Sequence, residues 1–192
     1  LLSMWSTEER QIIQGIKREG RRDTVLPLDT SSWGSMFLRA AGHREKADET
    51  LNTGLQRFGI EAGKAGGAGA PQKNADSGVP GEFRPYADSE VYQSDGVSRA
   101  YFDDPDLRWN ELNISWPEGA FGVAAALAKG SRFDDARRVV GANLRHSVDG
   151  GIRYASMEVP HQFSTHPSVA STAWLVIAVE LLTDENTRRL FW

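Results

Sequence analysis

Two carboxylates stand in settings where they could do chemistry. Glu118 lies in "SWPEGAFGVAAALAKG" (Ser115–Gly130), directly after Trp116 and Pro117 and ahead of an alanine-rich apolar run. Asp29 stands at the head of "LDTSSWGSMFLRAAG" (Leu28–Gly42). Hydrolysis of a glycosidic bond typically uses two carboxyl groups, one as acid and one as base or nucleophile. Glu118 is the candidate acid and Asp29 the candidate base. Trp116 offers an aromatic face of the kind that stacks on sugar rings. Each carboxylate also has an ordinary structural role open to it. An acid in a first helical turn interacts favourably with the helix dipole, and Asp29 suits an N-cap. The dipole lowers a carboxyl pKa, so Glu118 could serve as an acid only if burial among Trp116 and Phe121 raises it.

A third group lies in the loop 149–166. Tyr154, Glu158, His161 and His166 could line a site shared with these carboxylates, and Arg153 and Tyr154 could orient a substrate. Tyr154 packing on the helices is the competing reading. The two histidines are five residues apart with no third ligand beside them, so no metal site is expected. Trp109, in "RWNELNISW", could belong to the rim of a sugar site or to a strand. Trp174 sits in the most apolar segment and is expected in the core.

Helices must position these groups. Trp33, Met36, Phe37, Ala40 and Ala41 have helical spacing, and Gly42 ends that helix. The next helix, His43–Gly59, puts Ala47, Leu51, Leu55 and Phe58 on one face. So short a turn makes the two antiparallel. Pro117 suits a first helical turn. Ala120, Phe121, Ala124, Leu127 and Ala128 form one face of that helix. Gly130 stops it, and Arg132–Ser147 returns with Phe133, Ala136, Val140 and Leu144 inward. A weak internal repeat relates the two hairpins. "DGGIRYASM" gives a turn and short strand, and Ser168–Leu182 reads as a helix apolar almost all round, hence buried on most sides. Thr183–Trp192 begins one more. At the other end, Ser6–Gly20 reads as a helix with a Ser6/Glu9 capping box and an Ile12, Ile13, Ile16 stripe. Residues 61–81 read as a flexible glycine-rich loop, and the aromatic stretch to Asp104 as short strands or ordered loop.

The bulk composition narrows the class. A chain of 192 residues, 40% apolar and 25% charged, has the make-up of one globular domain. A net charge of −4 with dispersed Lys and Arg argues against a nucleic-acid partner. The lack of cysteine excludes disulfides and thiolate zinc sites, and leaves the compartment open. The longest apolar stretch, Val169–Leu182, is too short to span a bilayer. Phosphate-loop, nucleophile-elbow and zincin motifs are absent, and no cofactor is called for.

"LDTSSWGSMFLRAAG", "SWPEGAFGVAAALAKG", "DGGIRYAS" and "HPSVASTAWLVIAVELL", in that order, resemble the C-terminal half of bacterial (α/α) toroid proteins of the six-hairpin glycosidase-like group. The resemblance covers roughly Leu28 to Leu182. It implies an all-α fold of repeated antiparallel hairpins, partial or open because a full toroid needs about twice as many helices, with short strands in the loops. It further implies that the N-termini of inner helices open onto an active-site mouth. A partial toroid exposes apolar helix faces, which implies a partner: the rest of the toroid or another subunit. The expectation is a carbohydrate-active protein that hydrolyses glycosidic bonds through Glu118 and Asp29, with Trp116, Trp109, Tyr154, Arg153, His161 and Glu158 contacting substrate. A non-catalytic carbohydrate-binding or assembly domain on the same scaffold is the alternative.

Overall fold

A computed structural model describes residues 2–60, 78–92, 104 and 106–191. Among these residues are six helices: α1 (Leu28–Ala40), α2 (Arg44–Phe58), α3 (Pro117–Lys129), α4 (Phe133–Asn143), α5 (Val169–Thr183) and α6 (Glu185–Leu190). Seven short strands accompany them: β1 (Trp5–Ser6), β2 (Gln11–Ile12), β3 (Gly59–Ile60), β4 (Glu82–Phe83), β5 (Ser147–Val148), β6 (Gly151–Arg153) and β7 (Pro167–Ser168). They form the antiparallel sheets β1-β2, β3-β4 and β5-β6-β7. The expected all-α, repeated-hairpin toroid is therefore corrected. The fold mixes helices with three small sheets, and its last helix, α6, is six residues long. The glycine-rich loop expected at 61–81 lies outside the described residues up to 77, as does most of the aromatic stretch beyond Tyr92.

Two hairpins, α1–α2 and α3–α4, share one geometry. Both first helices have thirteen residues. Both end in a turn with a left-handed residue, Gly42 at φ 85° and Ser131 at φ 63°. In each, the N–H after that residue reaches back into the last turn, His43 to Leu38 and Arg132 to Leu127. Gly130 is the C-cap of α3, where the helix was expected to stop, and the left-handed position is Ser131, one residue on. Helices α1 and α3 lie side by side and parallel. A Cβ on Gly119 would meet Leu28, one on Gly122 would meet Ser32 and Trp33, and one on Gly130 would approach Arg39. Contacts that advance together along both chains require parallel axes.

Burial inverts the expectation for α5. Helix α3 packs against α1, α4 and α5 and is buried from Gly119 to Ala128, because alanine and glycine let neighbours approach on every side. Helix α5 is more apolar, yet only Ser171, Ala178 and Leu181 are fully buried. Val169 is 89% exposed, and Val176 and Val179 also face outward. No described residue covers that side of it. On α1 the buried set includes Ser31, Ser32 and Ser35, while Ala40 and Ala41 are exposed. Leu144 lies beyond the end of α4 and is exposed.

The helix expected at Ser6–Gly20 is a β-hairpin instead, with Trp5 opposite Ile12 and Ser6 opposite Gln11. The Ser6 hydroxyl does accept the Glu9 N–H, at 3.2 Å, but within a turn closed by Arg10 at φ 55°. Ile12 and Ile13 are buried and Ile16 is exposed, as suits a short strand followed by loop. Gln11 is fully buried. It donates to Thr30 Oγ1 and accepts from Ser31 Oγ and from Arg57. The hairpin is thereby fixed to the first turn of α1, immediately after Asp29.

Candidate functional site

Asp29 and Glu118 occupy the same place on two parallel helices. Each is the second residue, after Leu28 in α1 and after Pro117 in α3. Neither helix has a side-chain cap. Asp29 is therefore not the N-cap; Pro27 stands there.

A strap laces the two helix starts together. Phe83 accepts the N–H of Trp116, and Pro85 accepts the N–H of Leu28, both at 2.9 Å. Ala87 continues by donating to Leu26. The strap thus satisfies donors that helix N-termini leave without an intrahelical partner, and it carries Tyr86 to the carboxylates. It is anchored at Glu82, which meets His146 at 2.9 Å and Arg145 at 2.5 Å. Burial raises the Glu82 carboxyl, but the hydrogen bond from His146 and the charge and hydrogen bond of Arg145 outweigh it and hold the pKa low.

A second connection delivers Tyr154. Asp149 (φ 48°) and Gly150 (φ 78°) form the two-residue turn between β5 and β6, the Asp-Gly arrangement that suits strand twist. After β6, Ser156 donates its N–H to Ser115 and accepts the Ser115 N–H on its hydroxyl. Tyr154 is held beside the start of α3 in this way.

Charge links the four groups, with Asp29 acting on each of the other three. Burial raises the pKa of Asp29, against the opposing pull of the backbone N–H groups of Asp29 and Thr30. Burial raises Glu118 as well, and the charge of Asp29 adds to it. Tyr86 is raised by burial and then by Asp29. Tyr154 is raised by burial, then by Glu118, Tyr86 and Asp29. The helix dipole favours ionised carboxylates here; desolvation is the larger effect at both. Asp29 Oδ1 is buried without a hydrogen-bond partner among the described residues.

Aromatic rings back the site. Tyr86 lies on Trp109 (5.0 Å between ring centres), Trp109 on Phe163 (5.5 Å) and Phe163 on Tyr154 (5.0 Å). Trp116 packs edge-on against Phe163 at 6.2 Å. Trp109 is 2% exposed and Trp116 7%, so both support the tyrosines and helix starts rather than present a stacking face. Trp109 also begins a short 3-10 turn, not a strand. Arg153 is half-buried on β6 and pairs with Pro167 in the sheet. Glu158, His161 and His166 are exposed. None of Arg153, Glu158 and His161 figures among the groups that shift Asp29 or Glu118. Among the described residues, no cluster of three His, Asp or Glu could hold a metal ion.

Trp33 and Trp174 form a further pair that sequence reasoning missed. Their rings stack at 5.2 Å with planes 13° apart. Both are half-buried, so Trp174 is not sealed in the core. Tyr86 was missed too, because nothing in its loop distinguishes it from neighbouring aromatics. Trp33 did carry a signal: it follows Asp29 by four residues, hence on the same helix face.

No family model matches the chain, and no curated protein or solved structure matches it. No helix among the described residues is long and apolar enough to cross a membrane.

Proposed function

We propose that this protein hydrolyses glycosidic bonds, with Glu118 as general acid and Asp29 as the base that activates water. The observation that carries this reading is two carboxyl groups at matching positions on parallel helices, both raised by burial. The charge of Asp29 adds to the rise at Glu118, and one charge repels the other, so the pair favours a single ionised member. Backbone N–H groups of Asp29 and Thr30 pull the Asp29 carboxyl back down and none does so at Glu118, which suits an ionised Asp29 beside a protonated Glu118. Two titratable groups pushed apart in this manner divide acid and base roles between them. Glu118 protonates the leaving oxygen, and Asp29 takes a proton from the attacking water. Tyr86 and Tyr154, with phenols that burial keeps protonated, donate hydrogen bonds to the substrate.

The test is turnover on malto-, cello-, xylo-, laminari- and chitohexaose by the wild type, Glu118→Gln and Asp29→Asn. Proton transfer by a positioned side chain contributes about 10²–10⁴-fold, so each variant should lose about that much. Full activity in either variant refutes the assigned role.

A further inference from the structure

The stacked indoles lie at a defined depth below the acid pair. Trp33 is the sixth residue of α1, Gly122 the sixth of α3 and Trp174 the sixth of α5. Trp33 follows Asp29 by four positions, and Gly122 follows Glu118 by four. Residues four apart share a helix face, so on both helices the acid and the deeper residue stand in one column. Four residues of helix rise about 6 Å, about the length of one sugar ring.

Gly122 makes the indole pair possible. A Cβ there would stand 2.8 Å from Trp33 Nε1 and 3.4 Å from its Cδ1. With no side chain at this point of α3, Trp33 from α1 crosses in front of it and reaches Trp174 from α5. The two rings then bridge the row of helices. Trp33 Nε1 is buried and has no hydrogen-bond partner among the described residues, so its edge lies against α3. The continuous run of rings from Tyr86 to Tyr154 stands beside the acids at the level above.

We propose that the Trp33–Trp174 pair closes the floor of the acid-pair site one sugar ring below the carboxylates, so that the site receives the terminal residue of a glycan and cleaves from chain ends. This rests on the glycosidic reading of Asp29 and Glu118. A ring seated on the indoles places its linkage at the level of the carboxyl groups, and a chain has no path past the floor. The apolar face of a pyranose suits the indoles, and Tyr86 and Tyr154 reach its hydroxyls.

The experiment uses the same five hexasaccharides, each with free ends and with both terminal residues blocked. Products are followed in the first few per cent of turnover, and binding is followed by tryptophan fluorescence on Glu118→Gln. Monosaccharide as the first product, from free-ended sugar alone, supports the floor. Trp174→Ala should then bind about tenfold more weakly, and Trp174→Phe should recover most of the loss. A ladder of internal fragments, or equal cleavage of blocked sugars, overturns the floor while leaving the acid pair intact. Binding that needs a free end and weakens in Trp174→Ala, without any turnover by wild type, keeps the floor and refutes hydrolysis. Failure of every hexasaccharide to bind overturns both.

Discussion

The close parallel approach of α1 and α3 depends on Gly119, and replacing it by alanine sets two known effects against each other. In a helix, Gly→Ala ordinarily stabilises by up to about 1 kcal/mol. At Gly119 the added Cβ would lie 2.3 Å from Trp116 Cε3, 2.6 Å from Cζ3 and 2.8 Å from Leu28 Cδ2. The indole is rigid and packed on Phe163, and Leu28 is fully buried. Overpacking of this kind costs about 1–3 kcal/mol and exceeds the propensity gain. The net loss is about 1–2 kcal/mol, or a fall in Tm of roughly 2–8 °C for a chain of this size. Gly141 is the matched control. It is exposed in α4, and a Cβ there meets nothing within 4 Å. Gly141→Ala should raise Tm by up to about 4 °C. Thermal unfolding followed by circular dichroism reads both. A Gly119→Ala protein as stable as wild type, with Gly141→Ala behaving as expected, would refute the close packing that brings the two acids together.

The acid pair should cost stability at neutral pH. Asp29 and Glu118 have folded pKa values raised above their unfolded ones, so their contribution is full below the unfolded carboxyl pKa and is lost as pH rises through the folded values. Glu118→Gln should therefore be more stable than wild type at pH 7 and less different at pH 3, as urea unfolding would show; the reverse ordering argues against burial as the cause. Glu82 behaves oppositely. Its lowered pKa gives stability above the unfolded value that disappears as pH falls through the folded one. His146→Ala should lose about 1.5–3 kcal/mol in urea unfolding at pH 7 through the missing charged hydrogen bond, with a smaller difference in acid. An unchanged midpoint at pH 7 would show that the strap is not anchored there.

Much of the helical core was legible in the sequence. The period of Ala47, Leu51, Leu55 and Phe58 marks α2, and the Asp-Gly pair marks the β5–β6 turn. The N-terminal hairpin was not legible, because Ser6 and Glu9 make the same hydrogen bond in a turn as at a helix start, and Ile12 and Ile13 suit either element. Helix α5 shows that apolar composition states what a helix would bury, not which neighbours it has. Alanine-rich α3 is the sealed helix because its residues are small. The equivalence of Asp29 and Glu118 was visible in the two matching hairpins. Tyr86, Tyr154 and the indole pair join them only through long-range packing: a strap between helix starts, a serine-to-serine link, and a glycine that lets two tryptophans meet.

The coupled acid pair is tested most directly by titrating the Asp29 and Glu118 carboxyl carbons by NMR, in the wild type and in Asp29→Asn. Both should titrate above their ordinary ranges in the wild type, and Glu118 should fall toward its ordinary value once the charge at position 29 is gone. Ordinary values for both, or a Glu118 indifferent to Asp29→Asn, would contradict the pairing and with it the proposed division into acid and base.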